Sequence, residues 1–200
     1  MATLKREEIE AAFYEAVMAS LGYDQNKDYG SKKPPVRLTY PAQGQPDWGV
    51  NDDVVFILFG DADDDSTQTV DETWENSGDD LVRHHKVNRV LQMSFVAYGL
   101  NGYDNLVTLR HKLMDNPKQL KEKGINVVPS GNAITYAPEI FQGLWWQRAD
   151  LQMTFNSTVE FDEDVRSIAT VDVHVNTDKT LPGKTAGTIT QLGSLTINKS

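Results

Sequence analysis

The run DADDDSTQTVDE, residues 61–72, places Asp61, Asp63, Asp65, Thr67, Thr69 and Glu72 at positions 1, 3, 5, 7, 9 and 12 of a calcium-loop pattern. Oxygen donors at that spacing could wrap one hard cation, with the last glutamate closing its shell. Two features oppose this reading. Position 6 needs glycine for a sharp turn but holds Ser66, and the apolar run before the loop reads as a strand, not a helix. His84 and His85 are the next candidates, yet neighbours on a strand point to opposite faces and cannot easily share a metal. His111 and His174 have no partner at ligand spacing. The chain has no nucleophile elbow, P-loop, GxGxxG or HExxH motif, and no cysteine. Its many acids are matched to no second catalytic group. The sequence points away from catalysis and calls for neither cofactor nor metal.

What remains is surface chemistry. In GLWWQRADLQMTFN, residues 143–156, two tryptophans stand side by side before a strict alternation. Ala149, Leu151, Met153 and Phe155 fall on one face of a strand, and Arg148, Asp150, Gln152, Thr154 and Asn156 on the other. Trp145 and Trp146 cannot both be buried on the same side. One enters the core; the other needs a second core, a ligand or another subunit. The polar stripe is either a solvated sheet face or a wet protein–protein interface, anchored by Trp145 or Trp146 with Arg148 and Asp150 beside it.

Charge narrows the partners. A net charge of −10 argues against tight nucleic-acid binding, which needs clustered Lys and Arg. Residues 61–80 hold nine acids, among them Asp61, Asp63, Asp64, Asp65, Asp71 and Glu72, and no base. Residues 110–123 carry five bases against two acids. The two segments are either a solvated loop and helix or complementary poles for head-to-tail contacts between copies.

The positioning elements follow from pattern. Two hundred residues without a membrane-length apolar run make one soluble domain the expectation. An N-terminus without a signal-peptide core leads us to expect folding in a cytoplasm. Residues 4–21 predict an amphipathic helix, capped by Thr3 and stopped at Gly22. Strands are predicted at 36–40 (not central, given its prolines), 54–59, 86–98 and 125–128. A second helix opens at Asn101, and Pro117 and Gly124 bracket a short further turn of helix. The WW segment runs as a strand to about Phe161, FDEDVRS makes a hairpin connection, and 168–175 returns as its partner. The sum is an α+β fold: four or five mainly antiparallel strands with two main helices on one face. Residues 1–176 form the domain, and the Thr-, Gly-, Lys- and Ser-rich 177–200 reads as an extended arm.

Three stretches in this order, YGLNGYDNLVTLRHKL (98–113), PEIFQGLWWQRADLQMTF (138–155) and IATVDVHV (168–175), resemble the neck or tail terminator proteins of tailed bacteriophages. There a strand ends in a YG-like turn into a helix, and an aromatic-x-x-Arg-Ala stretch leads into a strand hairpin. Here Trp145 or Trp146, Arg148 and Ala149 occupy that motif. The resemblance spans roughly residues 4–176. It implies a non-enzymatic virion protein whose copies form a ring, usually of six, assembled in the host cytoplasm. Such a ring caps the tail tube, contacts tube or sheath protein and the head–tail connector, and lets DNA pass without specific binding or any membrane. Alternatives are another connector or tail tube protein, or a calcium-dependent module built on residues 61–72. On the ring reading, the second tryptophan enters a neighbour, and the acidic segment lines the channel or meets a basic partner.

Overall fold

Helix α1 (Arg6–Ser20) forms where apolar residues recur every three or four positions, and Ile9, Ala12, Phe13, Ala16 and Val17 are all buried. Its start departs from expectation. Thr3 donates its hydroxyl to the Glu160 carbonyl at 3.2 Å, and Lys5 takes the N-cap position. The Glu8 carboxylate reaches back to accept the Lys5 N–H at 2.8 Å, satisfying a donor that the first turn leaves over. Gly22, at φ +76°, ends the helix as predicted.

The computed structural model describes residues 3–24, 26, 27, 29, 35–40, 44, 47–77, 80–129 and 132–166. The chain divides into two compact units, Met1–Glu72 with His85–Phe161, and Thr73–His84 with Asp162–Ser200. Among the described residues a seven-stranded sheet comprises β1 (Val36–Leu38), β2 (Val54–Asp61), β3 (Val70–Ser77), β4 (Asp80–Tyr98), β5 (Asn126–Val128), β6 (Ile134–Tyr136) and β9 (Arg148–Arg166). Its order is β1-β2-β4-β9-β5, with β3 also on β4 and β6 also on β9. Among the described residues, strands β7 (Glu139–Phe141) and β8 (Leu144–Trp146) pair only with each other. β1 runs parallel to β2 at one end of that order, while β2–β4, β5–β9 and β6–β9 are antiparallel. Side-chain pairs fix the β4–β9 direction too. Arg83 meets Glu163, His84 meets Asp162 and Lys86 meets Glu160, so one number rises as the other falls.

The expected α+β class is found, with α2 (Gly102–Met114) and the short α3 (Lys118–Lys121) as the other α-helices among the described residues. Strands are longer and more numerous than the sequence predicts. β4 starts at Asp80 rather than 86, and β9 continues to Arg166, so FDEDVR is strand and not a hairpin connection. Residues 168–175 and the arm 177–200 lie outside the described residues. Alternation explains both the success and the miss. Leu91, Met93, Phe95 and Ala97 on β4, and Ala149, Leu151, Met153 and Phe155 on β9, face the helices and are buried. Where the alternation turns charged, hydrophobic period no longer marks a strand, although the backbone ladder continues.

Beneath the helices Phe13 and Phe155 meet edge to face at 4.8 Å, with Leu106, Leu109 and Leu113 of α2 in the same cluster. The β4-to-α2 corner depends on Gly99 at φ +101°. A Cβ there would overlap the Asp53 carboxylate and lie 2.7 Å from the Asp52 carbonyl. Asp53 in turn accepts the Asn101 backbone N–H at 2.9 Å and its side-chain amide at 2.7 Å, which fixes the start of α2. Gly99→Ala is expected to cost roughly 2–4 kcal/mol in urea unfolding, from strain plus overlap. Gly22→Ala shares the positive φ but meets nothing within 4 Å. It should cost only about 1 kcal/mol.

Candidate protein interface

The sheet face turned away from the helices carries its own small core. Val54 and Phe56 of β2 are buried there, and Trp48 packs on Phe56 with ring centroids 5.0 Å apart. Trp146 meets Trp48 at 6.1 Å and Tyr98 at 6.2 Å, both edge to face. Arg37, 5% exposed, lies over Trp48 at 5.6 Å and over Phe56 at 5.9 Å. Burial pushes its pKa down, and the Asp52 carboxylate opposes that shift. Trp146 therefore does find a second core, and it finds it within its own chain.

Trp146 is held there by a hairpin. Glu139 pairs with Trp146, Ile140 with Trp145 and Phe141 with Leu144 across β7 and β8. The connection is two residues, Gln142 at φ 51° and Gly143 at φ 78°, the double left-handed geometry that matches the twist of paired strands. A polar network pins the base. Tyr98 donates its hydroxyl to Glu139 at 2.8 Å, and Arg148 reaches Glu139 at 3.1 Å and Asp150 at 2.8 Å. The hydrogen bond to Asp150 raises the Arg148 pKa, against the cost of desolvation. Burial, then the bond to Glu139, pushes the Tyr98 phenol up to about 12. At neutral pH the phenol remains a donor and the guanidinium a fixed charge.

Beyond that base the hairpin is apolar and in water. Ile140 is 61% exposed, Phe141 56%, Leu144 57% and Trp145 65%, and residues 140–147 carry no charge. Four large apolar side chains on one rigid turn differ from the singly scattered ones normal on a surface. Of the candidate residues, Trp146, Arg148 and Asp150 build the platform and Trp145 projects from the hairpin it supports. Asp150 and Arg148 bond each other, while Gln152 of the polar stripe is exposed. Sequence reasoning passed over Glu139, Ile140, Phe141, Leu144, Trp48, Arg37 and Tyr98. A findable signal existed for three of them, Ile140, Phe141 and Leu144: two apolar pairs separated by two residues, the second a glycine, suit a tight hairpin.

The acidic segment is more structured than a loop. Asp64 accepts the Ser66 N–H at 2.9 Å and caps a single 3-10 turn, Asp65–Gln68; hydrogen bonds from Ser66, side chain then backbone, lower the Asp64 pKa. Asp61 takes Arg89 in a two-point contact at 2.7 and 3.2 Å, and Glu72 lies 3.7 Å from His85 on β4. Asp63, Asp65 and Asp71 are exposed. A strand before, a 3-10 turn within and a strand at Glu72 do not make a helix-flanked calcium loop. No described trio of His, Asp or Glu is placed to hold a metal.

In the second unit Arg83 stacks over Trp74 at 5.3 Å and lies 3.7 Å from Glu163. His84 sits between Asp162, at 2.7 Å, and Glu75, at 3.4 Å. The hydrogen bond to Asp162 is the main reason its pKa is raised. A histidine with a raised folded pKa stabilises fully below its unfolded value near 6.5, and that gain is lost as pH climbs through the folded value. The melting advantage of the natural chain over His84→Gln should thus be larger at pH 6 than at pH 8.5. An equal advantage at both would show that the clamp is not charged. At the hairpin base, Arg148→Lys should fail to restore what Arg148→Ala loses, about 1–2 kcal/mol in urea unfolding, because one ammonium cannot hold both carboxylates in the same fork.

The phage neck terminator protein family matches residues 7–179 of the chain. No curated protein matches it.

Proposed function

The chain therefore belongs to the phage neck terminator protein family, structural proteins of the virion neck, and we propose that its copies close into a ring that caps the tail tube. Six copies, as the resemblance implies, would give the head–tail connector a docking surface on one side and tube or sheath protein on the other. The observation that carries this reading is the uncharged hairpin at residues 140–145, preformed by its turn and pinned at its base. A rigid apolar projection loses little conformational entropy on docking, which makes it suited to anchoring an interface. Trp145 is the anchor; Trp146, Arg148 and Asp150 hold it in place.

Two further parts of the chain fit a ring. The exposed carboxylates Asp63, Asp64, Asp65 and Asp71 suit a channel through which DNA slides, since a cationic lining would hold phosphate. Their partners Asp61 and Glu72 keep the segment shaped while meeting Arg89 and His85. Residues 177–200 act as an arm to a neighbouring copy or ring, and the subunit assembles in the host cytoplasm without cofactor. No described helix is long and apolar enough to cross a membrane.

Negative-stain microscopy with sedimentation of the purified chain tests the ring directly. Trp145→Ala should leave subunit stability within about 0.5 kcal/mol, as exposed substitutions do, yet weaken assembly thirtyfold or more, the size of a hot spot near ~2 kcal/mol. Trp146→Ala should instead destabilise the subunit itself, by roughly 2–4 kcal/mol. Rings formed normally by Trp145→Ala would remove the hairpin from the interface. Ending the chain before Thr177 should spare the fold and impair assembly; loss of the fold would contradict the arm.

A further inference from the structure

A ring closes only if each subunit offers two different surfaces, one fitting the other on the next copy. The hairpin is one of them. We propose that the other is the cavity between the start of α1 and strands β1 and β2, and that it receives Trp145 and Ile140 of the adjacent copy. This rests on the ring reading and adds the acceptor that the reading lacks. The cavity measures about 280 Å³, with Ile57, Phe59 and Met93 among its lining and Tyr40 exposed at its rim. An apolar cavity of about 150 Å³ already takes a benzene ring, so this one has room for an indole; small-molecule sites begin near ~300 Å³.

Three observations fit that occupant. Ile57 and Met93 belong to the main hydrophobic cluster, so a side chain entering here extends an existing core. The charges at the cavity, Arg6 and Glu10, already meet each other at 2.9 Å, and an uncharged hairpin leaves that pair intact. Placement agrees as well. The hairpin packs at its base on Trp48 and Tyr98, on the sheet face turned away from the helices, whereas the cavity opens beside α1 on the helix-covered face. A projection and a recess on opposite faces are two different surfaces and give a head-to-tail contact, which propagates around a ring; two hairpins meeting each other would stop at a dimer.

The test uses the full chain, whose lack of cysteine makes introduced ones unambiguous. Tyr40→Cys combined with Ile140→Cys should form, on oxidation, a ladder of linked species ending at the closed ring. Each single variant alone should stay unlinked, and the two singles mixed should give linked dimers only. A second pair avoids dependence on disulfide geometry. Tyr40→Arg closes the recess and Trp145→Ala removes the projection, so each alone should fail to assemble. Mixed, they should form dimers and nothing larger, because one intact projection still meets one intact recess. Dimers linked by Ile140→Cys alone would replace the proposal with a two-fold contact. Rings without a ladder, and with Tyr40→Arg assembling normally, would keep the ring but discard this acceptor. A ladder with Phe161→Cys in place of Tyr40→Cys would move the acceptor to the cavity beside Arg89 and Val159. If the natural chain never forms rings, the ring reading falls and the acceptor with it.

Discussion

The exposed hairpin depends on one guanidinium. Arg148 stands where β8 passes into β9, and its two contacts tie Glu139 at the base of β7 to Asp150 on the sheet. Tyr98 from β4 completes the arrangement through Glu139. Without that charge, two carboxylates would face each other near an aromatic cluster, with nothing to offset their repulsion and desolvation. With it, the hairpin base is fixed by hydrogen bonds from two strands of the main sheet. Phe141 leans edge to face on Trp146 at 6.2 Å, while Ile140, Leu144 and Trp145 remain more than half exposed.

This placement also explains why the sheet is covered on both faces over part of its area. One face carries α1 and α2 over Phe13, Phe95 and Phe155; the other carries Trp48, Phe56, Tyr98 and Trp146. β2 serves both, and VVFILF accordingly reads as a continuous apolar run rather than an alternation. Arg37 is the charged member of this second layer, its guanidinium lying over two aromatic faces while the Asp52 carboxylate favours its charged form.

Much of this was legible in the residues. Period two marked the buried halves of β4 and β9, period three to four marked α1 and α2, and adjacency showed that Trp145 and Trp146 must part company. The lost parts share a physical cause. β3 and the outer reaches of β4 and β9 are held by backbone ladders and by pairs such as His84 with Asp162, which leave no apolar rhythm in the sequence. Thr3 yielded to Lys5 at the start of α1 because Glu8 could reach back to the earlier N–H, a choice settled by geometry rather than capping preference. The second aromatic core was illegible because Trp48 lies far from Trp146 in sequence and comes from a Pro- and Gly-rich stretch with no pattern of its own.

The Gln142–Gly143 turn has a consequence for the subunit before it meets any partner. Its backbone is set by local sterics, so the four apolar side chains stay on display in the free chain. Each copy thus presents this apolar surface as soon as the hairpin forms. In the free chain such a patch is a liability, because association of like copies through exposed apolar surface rises with their concentration.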